Sequence, residues 1–231
     1  MYLGGCSHKL FKNEGKNIAH PGRSPFAVLQ ADNLCFGYPG RTLFEDFSAR
    51  ITPGVTLLLG DEGCGKTTLL RLLACVLPPD GGQLQINGIH LQQRPGDYRA
   101  QVFWIDPRSE AFDQLTAAEF FQSQRRTCPG FNDTALDGLV DGLGLAAHLQ
   151  KQLYMLSSGS KRKVWLAAAF ASGAAVTLLD MPFSALDKPS INIVVQQLRQ
   201  AAQHAERVVV LADHEAPGGM QPCPTIALRA A

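Results

Sequence analysis

One nine-residue stretch, Gly60-Asp61-Glu62-Gly63-Cys64-Gly65-Lys66-Thr67-Thr68, restricts what this chain can become more than any other. It fits the pattern G-x-x-x-x-G-K-[ST]. The apolar run Val55-Thr56-Leu57-Leu58-Leu59 before it reads as a strand, and Thr67 to Leu73 after it reads as a helix. In a strand–loop–helix unit of this kind, small residues let successive backbone N–H groups turn inward around phosphate oxygens, and the helix offers them its positive end. Lys66 is then expected to reach the β/γ-phosphates, and the Thr67 hydroxyl to ligate Mg²⁺.

Composition narrows the setting. At 231 residues, 45% hydrophobic and 18% charged, the chain can bury one sizeable core and a small attached lobe. A net charge of +1, with Lys and Arg scattered, gives no electrostatic reason to expect nucleic acid as a partner. The six cysteines form no C-x-x-C pair and have no histidines at metal-ligand spacing, which argues against zinc and against a secreted disulfide scaffold, so a reducing cytoplasm is expected. No apolar run approaches the ~18 residues of a spanning helix. The start also lacks a signal-peptide pattern. Membrane association is therefore expected through a partner rather than by direct insertion.

Along the chain, residues 1–25 read as a disordered or extended tail, and 26–231 as one domain. Val28–Phe36 and Leu43–Ile51 read as strands around the turn at Tyr38-Pro39-Gly40, a small antiparallel portion ahead of the phosphate loop. Gln83–Ile86 and Gln101–Ile105 are further expected strands, the first followed by the tight turn Asn87-Gly88. From Thr116 to Leu156 the pattern turns helical, with segments at Ala117–Phe121, Ala135–Leu143 and Ala146–Leu149, so a compact all-α insertion is expected at about 107–157. Strand signals return at Ala175–Leu179 and Arg207–Leu211, each after a helical segment, as in a parallel sheet with helical crossovers.

Four further segments stand in a telling order: Leu156-Ser157-Ser158-Gly159-Ser160 with the basic Lys161-Arg162-Lys163; Val176-Thr177-Leu178-Leu179-Asp180; Pro182-Phe183-Ser184-Ala185-Leu186-Asp187; and His214 after Leu211-Ala212-Asp213. Together with the phosphate loop they resemble an ATP-binding cassette (ABC) ATPase from Phe26 to Glu215, most like small exporter-type cassettes. The resemblance implies an α/β fold of the P-loop NTPase kind. That is a three-layer sandwich with a mainly parallel sheet, a small antiparallel β subdomain and an all-α insertion. It also implies ATP and Mg²⁺ as cofactors. Gly60, Gly63, Cys64, Gly65, Lys66, Thr67 and Thr68 would hold the phosphates and Tyr38 would stack on adenine. Thr67 and Asp180 would hold the metal, and His214 would sense the γ-phosphate. Ser157 and Gly159 would contact the nucleotide of an opposite cassette, so a homo- or heterodimer is implied, docked on an integral membrane permease at the cytoplasmic face.

Two departures stand out. Where the family usually carries a catalytic Glu after the strand-ending Asp, this chain has Met181, whose thioether cannot take a proton at physiological pH. The position of the family's Gln after the Phe103-Trp104-Ile105 segment falls on Asp106, Pro107 or Arg108. Mg-ATP binding with weak intrinsic hydrolysis is therefore expected. The alternative is a non-hydrolysing regulatory or assembly subunit pairing with an intact cassette. Glu215, next to His214, and Asp187 are the candidate substitute bases, and no spacing favours either.

Overall fold

The computed structural model describes residues 29–215, 218 and 223–229. The expected tail at 1–25 lies outside them. Among the described residues, five parallel strands form the central sheet, in the order β6 (Val102–Phe103), β7 (Val176–Asp180), β8 (Val208–Asp213), β3 (Gly54–Leu59), β9 (Thr225–Ala227). Parallel strands are stable when both faces are covered, and β3, β7 and β8 are almost wholly apolar as that requires.

Alternate residues on those strands feed two cores. On one face Leu58, Leu178, Val208 and Val210 pack with α1 (Lys66–Leu73) and with Leu29, Leu34, Leu84 and Ile86 of the antiparallel lobe. On the other, Val55, Leu57, Leu179, Val209 and Leu211 pack against the helical side, which supplies α3 (Ala117–Thr127), α4 (Asp133–Gly142), α5 (Ser158–Ala171) and α6 (Lys188–Ala202). Leu58 and Leu211 are fully buried, and truncating either to Ala would cost about 2–5 kcal/mol.

The lobe is a four-stranded antiparallel sheet ordered β2 (Arg41–Ile51), β1 (Leu29–Tyr38), β4 (Gly81–Ile86), β5 (Ile89–His90). The sequence places this lobe before the phosphate loop. The structure adds β4 and β5 from beyond α1, because β1 pairs on both edges: Leu29 faces Ile51 on one side and Ile86 on the other.

Other boundaries also shift. The strand expected at Gln101–Ile105 shortens to two residues, since Asp106 and Trp104 leave the ladder, and the helix expected at Ala146–Leu149 is one 3₁₀ turn, Ala146–His148. The five-residue helix α2 (Pro95–Arg99), whose Tyr98 hydroxyl donates to Leu73 O at 3.0 Å, is not foreshadowed by any apolar period.

Within the 107–157 stretch, α3 opens on a capping box. The Glu119 amide donates to Thr116 Oγ1 at 3.1 Å and the Thr116 amide to Glu119 Oε2 at 2.8 Å, an arrangement that contributes about 1 kcal/mol. Phe120, Leu139, Leu145 and Leu153 bury themselves against Val164 and Ala168 of α5, and the ion pair of Lys161 with Asp113 joins the two. Among the described residues, no helix is long and apolar enough to cross a membrane.

Candidate functional site

Strand register gathers the sequence-predicted residues at one end of the parallel sheet. Leu59 lies opposite Asp213, and Asp180 opposite Ala212, so the phosphate loop, the residue after β7 and His214 all emerge at the carboxyl ends of neighbouring strands. In open α/β sheets this crevice is where ligands bind.

The loop from Gly60 to Gly65 leads into α1 with Gly65 as the N-cap at φ 99°, a left-handed conformation that strains any residue with a Cβ. The Lys66 ammonium, on a largely buried side chain, lies back across the loop. It donates to Gly60 O at 2.5 Å and Asp61 O at 2.9 Å, with Cys64 Sγ at 3.9 Å. Gly63 O accepts from Arg41 Nη2 at 2.9 Å, which ties the loop to β2. Cys64 is 3% exposed, so its side chain packs the underside of the loop.

Thr67 and Asp180, 113 residues apart in sequence, meet directly, the hydroxyl donating to Asp180 Oδ2 at 2.7 Å. Asp180 Oδ1 is buried and has no hydrogen-bond partner among the described residues. Burial pushes the Asp180 carboxyl above the usual carboxylate range, against the opposing effects of Thr67, Arg108 and Arg162. An orphaned, desolvated carboxylate oxygen beside a threonine hydroxyl is the donor set a hard divalent cation such as Mg²⁺ takes, so the residues present fit that ion.

Tyr38 is 43% exposed and stands edge-on to Phe36 at 5.1 Å between ring centroids. That exposure disagrees with a core role and leaves a ring face open to stacking. Its hydroxyl is 3.5 Å from Thr68 Oγ1, so the ring is held over the start of α1.

Ser157 caps α5. Its Oγ accepts the Ser160 amide at 3.1 Å and donates to Ser160 Oγ at 3.0 Å. Two residues on, a Cβ at Gly159 would stand 2.4 Å from Ala185 O, so the backbone there approaches too closely for a side chain. His214 follows β8 with an exposed imidazole, and its amide donates to Asp213 Oδ1 at 2.7 Å.

Met181 occupies the left-handed region at φ 48°, a sparsely populated conformation of the kind that collects at functional sites. Its backbone is fixed from two sides: the amide donates to Ala212 O at 2.9 Å, and the carbonyl accepts Arg162 Nη1 at 2.6 Å. Arg162 was legible only as part of a basic run after the Ser-Ser-Gly-Ser segment. In the fold it crosses from α5 to the end of β7, also donating to Asp180 O at 3.2 Å, and burial holds its guanidinium below the ordinary arginine range.

Of the two substitute bases, Asp187 is committed elsewhere. Asp187 caps α6 by accepting the Ser190 amide at 2.9 Å and pairs with Lys163 Nζ at 2.6 Å. Its lysine partner and Ser190 hold its carboxyl far below the usual carboxylate range, which makes it a poor proton acceptor. Glu215 is exposed and directly follows His214.

The Gln position resolves into a cluster the sequence does not announce. Asp106 Oδ2 accepts Arg71 Nη2 at 2.5 Å and Arg71 Nε at 3.1 Å, while Oδ1 accepts the Arg108 amide at 2.9 Å. Burial alone would raise the Asp106 carboxyl, but the Arg108 amide and the Arg71 guanidinium outweigh it and hold it below its ordinary value. Arg71 was readable only as a polar residue in an apolar helix. Its partner lies 35 residues away, beyond any local pattern.

Comparison with known proteins agrees with this geometry. The ABC transporter family profile matches residues 44–184. The cytochrome c biogenesis ATP-binding export protein CcmA of Pseudomonas syringae pv. syringae is 32% identical over 83% of this chain and 89% of its own length. CcmA of Escherichia coli K12 is 33% identical over 81% and 89%. Among solved structures, an ATP-binding subunit of an ABC transporter superposes with a TM-score of 0.77 at 23% identity, covering 88% of each chain, which supports the fold.

Proposed function

Since the chain belongs to the ABC transporter family as an ATP-binding subunit, we propose that it closes head-to-tail on a second cassette over Mg-ATP and thereby powers or gates a separate membrane permease, with weak hydrolysis of its own. Lys66 and the amides of Gly63 to Thr68 hold the phosphates, Tyr38 stacks on adenine, and Thr67 with Asp180 holds the metal. Ser157 and Gly159 face the partner's nucleotide, and His214 reports on the terminal phosphate. When bound, Mg²⁺ supplies charge neutralisation across the phosphate oxygens. The protein groups orient and retain; none of them is set up to withdraw a proton from water.

The observation that carries this reading is the contrast at the end of β7. Asp180 offers a desolvated free oxygen beside Thr67, yet the next residue is Met181, held by its backbone where the family usually places a carboxylate. General-base assistance contributes typically ~10²–10⁴ in rate, so a site that binds well and turns over slowly follows. The test is nucleotide-dependent dimerisation measured beside phosphate release on the purified protein. Mg-ATP should drive a stable dimer while phosphate release stays well below ~1 s⁻¹, the low end of ordinary enzymatic turnover. Brisk turnover without any added carboxylate would defeat the reading, as would absence of Mg-ATP binding.

A second reading rests on the same Met181: a regulatory or assembly subunit that pairs with an intact cassette and supplies only a nucleotide hold. Purification from membranes separates the two. A co-purifying membrane-embedded permease with this chain as its sole cassette favours the first. A second, catalytically complete cassette in the same complex favours the other. The permease would set cargo and direction, and the naming of the CcmA relatives as cytochrome c biogenesis exporters makes that pathway the first setting to try. A position at the cytoplasmic face, peripheral to the membrane, follows from the same proposal.

A further inference from the structure

The Asp106 cluster has a geometry that the proposed binding reading leaves unused. Asp106 spends both oxygens inside the protein: Oδ2 on the two Arg71 donors at 2.5 and 3.1 Å, Oδ1 on the Arg108 amide at 2.9 Å. Three protein donors thus occupy most of its acceptor capacity. Arg71 sits in the last turn of α1, the helix that begins at Lys66, so the ion pair pins residues 106–108 to the phosphate-loop helix. Both partners are largely shielded from water, with 29% and 20% of their side chains exposed, which favours a persistent pair over a surface one.

This pinned segment borders the metal-side residues. Pro107 lines, together with Asp180, Arg162 and Trp165, a cavity of about 30 Å³ next to the end of β7. Arg108 follows Pro107, is exposed, and its guanidinium enters no ion pair or side-chain hydrogen bond among the described residues. Position 181, which in a complete cassette would add a negative charge here, is a thioether. Pro107 thus brings the residue after it alongside the cavity that Asp180 lines, and position 181 adds no carboxylate there to compete for a guanidinium. A planar guanidinium fork matches two phosphate oxygens at once.

We propose that Arg108, aimed by the Arg71–Asp106 ion pair, engages the terminal phosphate of bound ATP and makes this site discriminate triphosphate from diphosphate. The proposal rests on the ATP-binding reading above. Lys66 and the loop amides hold the phosphates common to ATP and ADP, whereas Arg108 acts on the one that distinguishes them. A cation in place of general-base chemistry turns the site toward retention of ATP. Arg108 contacts ligand in this proposal, and Asp106 and Arg71 are positioning residues.

The experiment compares dissociation constants for Mg-AMPPNP, a non-hydrolysable ATP analogue, and Mg-ADP in the full chain by titration calorimetry. Arg108→Gln should weaken Mg-AMPPNP about tenfold and Mg-ADP less than about twofold, the loss expected for one charge-assisted contact. Arg108→Lys should recover part of the loss, since it keeps the charge without the fork. Asp106→Asn should lower the preference for Mg-AMPPNP in the same direction, while Lys66→Met should weaken both ligands. Equal losses of both nucleotides in Arg108→Gln, or no loss of either, overturns the proposal and leaves the binding reading intact. A wild-type chain that binds neither nucleotide overturns both.

Discussion

The two sides of the candidate nucleotide crevice are built to different standards. On the α1 side the parts are complete: Gly65 turns left-handed into the helix, Lys66 lies over the loop carbonyls, and Thr67 reaches Asp180 at 2.7 Å. On the β7 side, Met181 offers no proton acceptor, Asp187 is committed to a helix cap and a lysine, and Asp106 is committed to Arg71. Gripping a triphosphate needs donors and a cation in fixed places, and Lys66 and Gly65 are fixed by contacts that also hold the loop together. Activating water needs a basic group with nothing else to do, and here Asp187 and Asp106 serve cationic partners while Asp180 is bonded to Thr67. In the proposed reading, binding and hydrolysis are thus separable at the level of individual side chains.

The sharpest way to break this contrast is to supply the missing group. Met181→Glu should raise phosphate release by roughly 10²-fold or more while leaving the Mg-ATP dissociation constant within about twofold. The backbone at 181 is held by Ala212 and Arg162, so the new carboxylate would start from a fixed Cα. Unchanged turnover would move the deficiency from position 181 to the Asp106 segment.

Next in size, Lys66→Met should weaken Mg-ATP binding roughly 10–100-fold by calorimetry, the range for losing hydrogen bonds to a charged ligand. A smaller loss would mean that the loop amides carry more of the grip than the ammonium does. Tyr38→Ala should cost about tenfold, in keeping with one base on one ring, and Tyr38→Trp should restore it. Failure of the tryptophan variant to rescue would point to the Thr68 contact rather than to stacking.

The smallest effect concerns the carboxylate shared by both sides. Asp180 has a pKa raised by burial, so it contributes stability below the unfolded aspartate range, and that contribution drains away as pH rises through its raised folded value. Asp180→Asn should therefore raise the nucleotide-free Tm by about 2–4 °C at neutral pH. Thermal melts across pH should show the difference closing on acidification toward the ordinary aspartate range. The variant should also lose the Mg²⁺ dependence of nucleotide binding. A destabilised Asp180→Asn at neutral pH would indicate that the Thr67 hydrogen bond outweighs the desolvation of the charge.

Legibility in the sequence followed the distance over which each contact is encoded. The phosphate loop could be read because its chemistry is contiguous, nine residues between an apolar strand and an amphipathic helix. Asp180 could be read only through the family resemblance, since an acidic residue ending a buried strand is common and the Pro182–Asp187 segment after it is what singles it out. Arg71–Asp106 and Arg162–Met181 could not be read, since their partners lie 35 and 19 residues apart and only the folded sheet brings them together. The antiparallel lobe was half visible: β1 and β2 alternate and share a turn, but nothing in Gly81–Ile86 says that its free edge goes to β1. Three-residue β9 was not visible at all, because so short a segment is stabilised by its neighbour β3 and not by its own propensity.

Gly159 carries a mechanical consequence. With Ala185 O standing where its Cβ would be, the first turn of α5 and the loop between β7 and α6 are in backbone contact, with no side chain to cushion a change. In a head-to-tail pair the first of these would face one nucleotide and the second would border the other. A push on either must then be felt by both, so the two pockets of such a dimer would open and shut as a single hinge and not as independent jaws.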